Sequence, residues 1–541
     1  MKKRKVFHVI CSAALVASML FASACTQEKK TGASEADTGK SQESAASTNE
    51  SQEGGEVSTI TVEVFDRGNP GGSDPTTNFY AQWIQEQCLK ELNLEVKFVS
   101  VPRVEEQQQL NNMMGSGQAP DLCFTYDMGL ISNYYQQGGL TDLTPYLADA
   151  PELTALLGED VLERGLYDGK QMVIPARRVV TSRLGTFIRK DWLDALGLAL
   201  PTTTEEYHNA LKAFKENEST LPNKPEGAVV PLTLTEDVIW RAGPLLESFI
   251  TPGLSDKELY AHHVVDSKLL MPGMKEGVKL LNEFYNEGLI DTEFPLYKDD
   301  TVGDDATSRG LVGSYMHNWD MVYRNAPGIE SKLKENFPEA ELVPIDPFAN
   351  ADGVHSKIQY DPSGIRILVP SFSKNPEGVV KYLNWLAKND TRKFLQFGVE
   401  GETYDEVDGL PVLKEVEGEK IMNSANNIDY TVVINGVDLG DNEKSIEYLV
   451  NAYPDAKELA KEAYIMSMTD AILIPSITAV LEKEGPVSTT LKDKEKALLT
   501  QAISAKPEDF EAIWENGIQD WLAAGAQAAM EERTQMWEAS N

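Results

Sequence analysis

Eight residues have side chains that can bind an organic ligand through aromatic faces or through charged and hydroxyl groups. Flat aromatic faces pack against the apolar side of a ring, and planar charged or amide groups satisfy paired hydrogen-bonding groups. Aromatic, Asp and Arg residues occur side by side at several points of this chain. The candidates for ligand contact are Asp66, Tyr126, Asp127, Arg177, Arg178, Trp240, Trp319 and Tyr360.

Three of these candidates stand where a predicted strand ends. Tyr126 and Asp127 close a short apolar strand, and Asp66 follows the first alternating strand of the chain. The carboxyl ends of strands face the crevice in open α/β sheets, so these side chains are placed for ligand contact. Asp66 could reach the crevice through the glycine-rich loop at 68–72.

The chain could be a binding protein or an enzyme, and the enzyme to consider is a glycosidase. Its chemistry needs two carboxyl groups about 5–5.5 Å or 6.5–9.5 Å apart, and pairs of carboxyls arise by chance among 85 acidic residues. No G-x-S-x-G elbow, phosphate-binding glycine loop, HExxH motif or zinc-type cysteine spacing occurs. We therefore expect a binding protein rather than an enzyme, with no metal and no cofactor.

The N-terminus has the order of a secretory signal. A basic cluster at residues 1–5 precedes the apolar run VICSAALVASMLF at 9–21, and ASA stands directly before Cys25. The sequence ASAC resembles the lipobox of bacterial lipoproteins, although Ala22 stands where that box usually has Leu. The resemblance implies that Cys25 becomes the acylated first residue of the mature chain. The alternative is an ordinary cleaved signal with an incidental cysteine.

The segment behind Cys25 is a predicted tether. Residues 26–56 contain no Val, Ile, Leu, Met or aromatic residue, so the segment has nothing to bury and is expected to stay disordered. The whole chain has 49 basic and 85 acidic side chains, a formal charge of -36. This balance argues against nucleic acid and anionic lipid as partners, so membrane contact is expected through the lipid anchor only.

Hydrophobic spacing predicts an α/β first lobe. Ile60, Val62 and Val64 alternate, a helical stripe follows at 80–92, and a second alternating strand begins at 94. Strand, helix and strand at this spacing form a βαβ unit, which builds parallel sheets. Cys88 and Cys123 fall within such elements and are interpreted as core thiols.

Seven segments resemble, in order, the family 1 extracellular solute-binding proteins of ABC importers, especially the long lipoproteins associated with oligosaccharides. Their shared order over residues 60–541 is more specific than any single motif. The segments are GSGQAPD at 115–121, GLTDLTPYL at 139–147, DGKQMVIP at 168–175, FIRKDWLDALGL at 187–198, GSYMHNW at 313–319, SKNPE at 373–377 and FGVEG at 397–401.

The resemblance implies an α/β fold of the two-lobe periplasmic-binding-protein type (type II), with a hinge and an interlobe cleft. The implied organisation is a signal peptide at 1–24, a lipid-anchored disordered linker at 25–57, the first part of lobe 1 at 58–180, the main part of lobe 2 at 181–358, a return to lobe 1 at 359–400, and a mainly helical C-terminal segment at 401–541 that completes the lobes.

The resemblance also places several candidates at the cleft. Trp319 ends the segment that carries the family's ligand-facing Trp, and its alternative role is core packing. Arg177 and Arg178 follow the crossover at Pro175, so at least one is expected to face the cleft. Trp240 and Tyr360 are weaker candidates, each as easily structural.

The implied function is capture of a sugar, above all an oligosaccharide, for delivery to ABC permease subunits. The protein is expected to be a monomer anchored on the extracytoplasmic face of the cell membrane. A peptide or another solute on the same scaffold is the alternative ligand. Many long members carry a calcium loop at the position of 215–227, but this chain lacks the D-x-[DN]-x-[DN]-G alternation there, so we expect no calcium.

Overall fold

The computed structural model describes residues 56–68, 73–324, 328–414, 416, 428–477 and 480–540. The predicted signal peptide, Cys25 and the linker up to residue 55 lie outside these residues. Residues 55–541 belong to one unit, and it holds all the elements below.

The helices and strands follow one another in a mixed order. Up to residue 189 they are β1 (Ser58–Asp66), α1 (Phe79–Leu92), β2 (Leu94–Pro102), α2 (Glu106–Ser116), β3 (Cys123–Thr125), α3 (Met128–Gln136), α4 (Pro151–Leu162), β4 (Leu166–Tyr167), β5 (Lys170–Gln171), β6 (Val173–Arg178) and β7 (Leu184–Arg189). Up to residue 368 they are α5 (Lys190–Leu196), α6 (Thr204–Glu216), β8 (Val230–Leu232), α7 (Val238–Arg241), α8 (Gly243–Ser248), α9 (Asp256–His262), α10 (Met274–Asn286), α11 (Thr301–Ser308), β9 (Val312–Asn318), α12 (Ile329–Asn336), β10 (Leu342–Ile345), β11 (Lys357–Ile358) and β12 (Ser363–Leu368). The remainder are α13 (Pro376–Ala387), α14 (Asn389–Phe397), β13 (Tyr404–Val407), β14 (Leu410–Leu413), β15 (Ile434–Asn435), α15 (Asn442–Asn451), α16 (Lys457–Met468), β16 (Ala471–Ile472), α17 (Ser488–Ser504), α18 (Phe510–Trp521) and α19 (Gln527–Ser540).

Lobe 1 is built on a sheet of order β15-β6-β12-β3, beside the parallel pair β1-β2. A bridge between Val62 and Leu122 joins β1 to the residue preceding β3. Strand β12 runs antiparallel to both of its neighbours. It comes from the other lobe, so it enters its sheet at the end where the other strands leave.

Lobe 2 is built on a sheet of order β10-β7-β9-β8. Here β7 is the reversed strand, antiparallel to β9 and β10, because it arrives directly from lobe 1. Apolar clusters cover both lobes, and α17, α18 and α19 contribute to the main cluster of lobe 2 through Leu498, Trp514 and Ala529.

The chain passes between the two sheets in extended segments. Residues 179–183 join β6 to β7, and residues 359–362 join β11 to β12. The two segments are bonded to each other, because Tyr360 N–H donates to Thr181 O (2.8 Å). Strand β16 pairs in parallel with β11, which brings residues 471–472 to the same place. This set of adjoining segments is the hinge region.

Local sequence signals explain several boundaries. The Thr203 side chain caps α6 by accepting from Glu206 N–H (3.1 Å), and Asn375 caps α13 ahead of Pro376, so both helices begin at a residue type that favours this position. The alternation predicted for β1 is incomplete, because Glu63 is only 1% exposed between buried Val62 and Val64. Both faces of this strand are covered by protein, as is usual in parallel sheets.

Candidate functional site

Five side chains meet at the hinge region, and we call them the crossing cluster: Arg178, Arg183, Trp240, Asn318 and Tyr360. The Arg178 guanidinium lies 4.5 Å from the centre of the Tyr360 ring, and the Arg183 guanidinium lies 5.1 Å from the Trp240 ring. The Tyr360 hydroxyl donates to Asn318 Oδ1 (3.3 Å). The cluster therefore joins the end of β6 in lobe 1 to the end of β9 in lobe 2.

The two adjacent arginines at the end of β6 have different roles. Arg177 Nε donates to Leu156 O (2.8 Å), and its guanidinium also pairs with Asp160 (3.0 Å). These bonds hold α4 where Gly158 breaks the helical path with a φ of 70°. Arg178 instead lies over Tyr360, and its buried Nε has no hydrogen-bond partner among the described residues. Successive residues of a strand point to opposite faces, which separates the two.

The lobe 1 strand ends offer one open aromatic ring. Tyr126 is 39% exposed, and the Arg103 guanidinium lies 5.2 Å from its ring. Asp127 serves as the N-cap of α3, accepting from Leu130 N–H (3.0 Å). Asp66 is exposed, and its Oδ1 accepts from Gly68 N–H (2.9 Å). Among the described residues, no hydrogen bond, ion pair or ring contact joins Asp66, Tyr126 or Asp127 to the crossing cluster.

Trp319 is placed in the core of lobe 2. The residue is 4% exposed, and its ring makes edge-to-face contacts with Tyr453 (6.1 Å) and Tyr464 (5.3 Å). Its neighbour Asn318 is the side chain that reaches Tyr360. The placement favours the packing role of Trp319 over stacking on a ligand.

His317 contacts both Trp240 and Asn318. It contacts the Trp240 ring edge-to-face at 6.2 Å, and its Nδ1 accepts from Asn318 N–H (2.6 Å). The proton of the neutral ring is therefore on Nε2, which lies 3.1 Å from Asp300 Oδ2. Burial raises the pKa of Asp300, but His317 and Arg241 outweigh it and hold this pKa below its usual value.

Tyr360 is a neutral hydrogen-bond donor at physiological pH. Burial raises the pKa of its phenol, and the nearby charges of Arg183 and Arg178 offset only part of this effect. The ring thus offers one face to Arg178 and a polar tip to Asn318.

Glu247 fixes both crossing segments to lobe 2. It is 1% exposed and accepts from Arg183 Nη1 (2.7 Å) and from Ile358 N–H (2.7 Å). Burial raises the pKa of Glu247, but Lys268 and Arg183 outweigh this and keep the carboxylate ionised. Breaking the bonds of a buried, paired charge is costly. The chain at Arg183 and Ile358 is therefore expected to stay fixed to lobe 2, and hinge bending is expected between these residues and lobe 1.

A groove of about 1570 Å³ lies beside the hinge region, between lobe 1 and α19. We call it the C-terminal groove. It adjoins the crossing segments through Arg164, which lines the groove and is bonded to Asp361 and Ser476. Its charged lining residues are Asp160, Glu163, Arg164, Asp168, Glu482, Lys483, Glu531 and Glu532. Six carboxyls against two cations make the groove acidic.

Cationic side chains bond the backbone of the segment at 215–227, where we expect no calcium. Arg189 donates to Asn223 O (2.9 Å), and Lys224 Nζ donates to the carbonyls of Pro225 and Gly227 (3.1 Å each). Within the described residues, no three His, Cys, Asp or Glu side chains are grouped to hold a metal ion. The same residues include no helix both long and apolar enough to cross a membrane.

A family model named bacterial extracellular solute-binding protein matches residues 73–393, more than half of the chain. The chain belongs to this family. The solute-binding protein is 23% identical over 340 residues to the polygalacturonan/rhamnogalacturonan-binding protein YtcQ of Bacillus subtilis, covering 60% of this chain and 65% of that one. It is 25% identical over 338 residues to lipoprotein LipO of the same organism, covering 58% and 62%. The matched region thus spans less than two thirds of either relative.

Solved structures share the architecture of this solute-binding protein. The alginate-binding protein AlgQ2 without calcium ion has a TM-score of 0.60 at 20% identity, covering 89% of this chain and 98% of that one. The HMO-binding solute-binding protein of Bifidobacterium longum infantis has a TM-score of 0.61 at 18% identity, with the same coverage. The predicted two-lobe α/β fold is confirmed, and the family and these neighbours are binding proteins rather than enzymes.

The crossing cluster contains three of the eight sequence-predicted site residues: Arg178, Trp240 and Tyr360. Arg183 and Asn318 were missed, although each had a signal. Arg183 stands in the crossing that follows β6, and Asn318 is the last residue of β9, at the carboxyl end where strands face the crevice.

Proposed function

We propose that the protein captures an oligosaccharide outside the cytoplasmic membrane and delivers it to an ABC permease. The crossing cluster carries the proposal. Arginine, amide and aromatic groups from both lobes converge at the hinge of a two-lobed body. A ligand that touches both ends of the cluster would favour the closed arrangement, as in hinge-bending binding proteins.

The chemistry of the cluster suits a sugar. The Trp240 ring supplies a flat apolar surface, and Asn318 can both donate and accept hydrogen bonds. Arg178 has one buried donor, Nε, without a hydrogen-bond partner among the described residues, and the planar fork of an arginine matches paired oxygen atoms. Aromatic faces combined with few, directed polar groups are typical of small-molecule sites.

The size of the C-terminal groove favours an oligosaccharide over a single sugar. Its volume of about 1570 Å³ exceeds the roughly 300–1,000 Å³ of ordinary ligand pockets. Its acidic lining would repel uronate groups, so we expect a neutral or mostly neutral chain rather than the pectin acids named for the YtcQ relative. A peptide is the alternative ligand, and cationic peptides would fit the same charge.

Membrane attachment is part of the proposal. Cys25 lies outside the described residues, and its acylation is supported by the ASAC sequence and by the relative named lipoprotein LipO. A single acyl chain anchors only marginally, so two or more are expected on the mature N-terminus. This places the sugar-binding body on the extracytoplasmic face, beside its permease.

A ligand panel tests the function. Purified protein is mixed with maltotriose, N,N′-diacetylchitobiose, trigalacturonate or trilysine, and unfolding temperature and product release are followed together. One of the sugars is expected to raise the unfolding temperature as its concentration increases. At a hundred times Kd, the bound sugar adds about 2.7 kcal/mol to the free energy of unfolding. Shortened sugars in the mixture would indicate a glycosidase, and a shift with trilysine alone would indicate a peptide-binding protein.

A further inference from the structure

A network of charged side chains lies next to Trp240 in lobe 2. Arg241, the last residue of α7, has a fully buried side chain, and its guanidinium lies 4.5 Å from the centre of the Tyr315 ring. Two carboxylates flank this guanidinium, with Asp300 Oδ1 at 3.4 Å from Nε and Asp304 Oδ1 at 3.8 Å from Nη1. A buried charge needs such partners, so both aspartates contribute to the stability of lobe 2.

The two aspartates differ in their other contacts. Asp300 Oδ2 lies 3.1 Å from His317 Nε2, and the Asp300 carboxylate also accepts a hydrogen bond from the Trp240 side chain. Asp304 instead accepts from the Tyr315 hydroxyl. Asp300 is therefore the aspartate of this pair that contacts the crossing cluster within the described residues.

The position of Asp300 along the chain supports a role other than helix capping. It occupies the N-cap position of α11, where an aspartate side chain commonly accepts from the backbone of the first turn. Its side chain makes no capping bond, and the adjacent Asp299 accepts from Thr301 N–H instead (2.9 Å). The Asp300 carboxylate is thus directed to His317 and Trp240 rather than to its own helix.

The contact with Asp300 decides which imidazole nitrogen of His317 carries the proton. An ionised carboxylate only accepts hydrogen bonds, so Nε2 must donate, and Nδ1 is left as the acceptor for Asn318 N–H (2.6 Å). The His317 ring also contacts the Trp240 ring edge-to-face at 6.2 Å. One carboxylate therefore fixes the Trp240 ring directly and the backbone of Asn318 through a single histidine.

We propose that Asp300 is a positioning residue of the sugar site, which holds Trp240 and Asn318 in the binding arrangement before the sugar arrives. The inference rests on the proposed function and deepens it, because it names the residue on which the lobe 2 half of the site depends. Side chains that are ordered in advance spare the ligand the entropic cost of immobilising them. Asp300 needs no contact with the sugar for this role.

The test compares Asp300→Asn with the matched control Asp304→Asn. Both changes remove a negative charge beside Arg241, but the control leaves the partner of His317 and Trp240 in place. An amide has a single acceptor oxygen, so in Asp300→Asn at least one of the surrounding donors faces an N–H group. Asp300→Ala, which removes the acceptor altogether, is the second variant.

Two measurements are made on each protein beside the urea midpoint. Titration calorimetry uses whichever of maltotriose, N,N′-diacetylchitobiose or trigalacturonate binds the wild type most tightly. The ¹⁵N chemical shifts of histidine-labelled protein report which nitrogen of His317 carries the proton, and His317→Gln identifies the signal. The wild type and Asp304→Asn should hold this proton on Nε2, whereas both Asp300 variants should show a mixture of tautomers. A proton on Nδ1 in the wild type would overturn the proposal whether or not the variants fold.

Both Asp300 variants are expected to bind the sugar about tenfold more weakly than the wild type, because the ligand must then order two side chains itself. Asp304→Asn should stay within twofold of the wild type in affinity, even where its urea midpoint falls as far as that of Asp300→Asn. Affinity within twofold for the Asp300 variants, or an equal loss in Asp304→Asn, would overturn the positioning role while leaving the proposed function intact. If none of the three sugars binds the wild type, the proposed function itself fails and this inference with it.

Discussion

Replacing Trp319 with Ala separates two roles that one tryptophan cannot both fill. The residue is 4% exposed and meets Tyr453 and Tyr464 edge-to-face. Truncating a buried Trp costs about 3–5 kcal/mol of folding free energy, and each aromatic pair contributes about 0.5–1.5 kcal/mol beyond its buried area. We therefore expect Trp319→Ala to destabilise lobe 2 by about 3–5 kcal/mol, with little change in sugar affinity of the folded fraction.

The measurement pairs urea unfolding, followed by circular dichroism, with calorimetric titration of the sugar. Trp240→Ala is the matched control, because its ring is only partly buried and lies under Arg183 at the crossing cluster. That control should lose about 1.5–3 kcal/mol of binding free energy while its urea midpoint moves much less than that of Trp319→Ala. A Trp319→Ala protein with wild-type stability and a tenfold loss of affinity would refute the packing argument and return Trp319 to the ligand site.

Three further perturbations have defined outcomes. Cys25→Ser should release the protein from the membrane fraction without unfolding it, and retention of the variant in membranes would contradict lipid anchoring. A bound sugar should reduce the radius of gyration in solution scattering, because a ligand spanning the crossing cluster favours the closed lobes; an unchanged radius at saturation argues against closure. Burial raises the pKa of Glu63 to about 8, above its unfolded value near 4.5, so the native state holds the proton between these values. The contribution of this proton to the free energy of unfolding is fully present below about pH 4.5. It is lost as pH rises towards 8, and the loss amounts to a few kcal/mol. Glu63→Gln should flatten this slope in urea unfolding across pH 5–8, and the exposed control Glu86→Gln should keep it.

The buried position of Glu63 also bears on the site. Its Oε2 accepts from Phe124 N–H (3.0 Å), two residues before Tyr126 at the open strand end of lobe 1. Glu106 lies nearby, with its own pKa raised by burial, and accepts from the Thr125 hydroxyl (3.2 Å). Two carboxyl groups thus hold the strand that presents Tyr126, and ionising Glu63 in alkali would disturb that strand end.

Patterns of neighbouring residues were enough to predict the fold class and several of the candidate site residues. The helix starts at Thr203 and Asn375 can be inferred from sequence, because capping is decided by a few neighbouring residues. The ordered family segments predicted two α/β lobes because the fold constrains where turns and strands can occur along the chain. The same reasoning selected Arg178, which ends β6, and Tyr360, which lies in a crossing segment, whereas Trp240 lies in α7.

Contacts between distant segments could not be inferred from local pattern. Arg177 and Arg178 are indistinguishable along the chain, and only the position of the broken helix α4 assigns Arg177 to its carbonyls. Trp319 follows a strand as a cleft residue would, yet Tyr453 and Tyr464, more than a hundred residues away, enclose its ring. The segment at 265–268 likewise carries no motif. It is held by bonds to Glu247, Glu484 and Glu495, and bonds across such separations exist only once the lobes have packed.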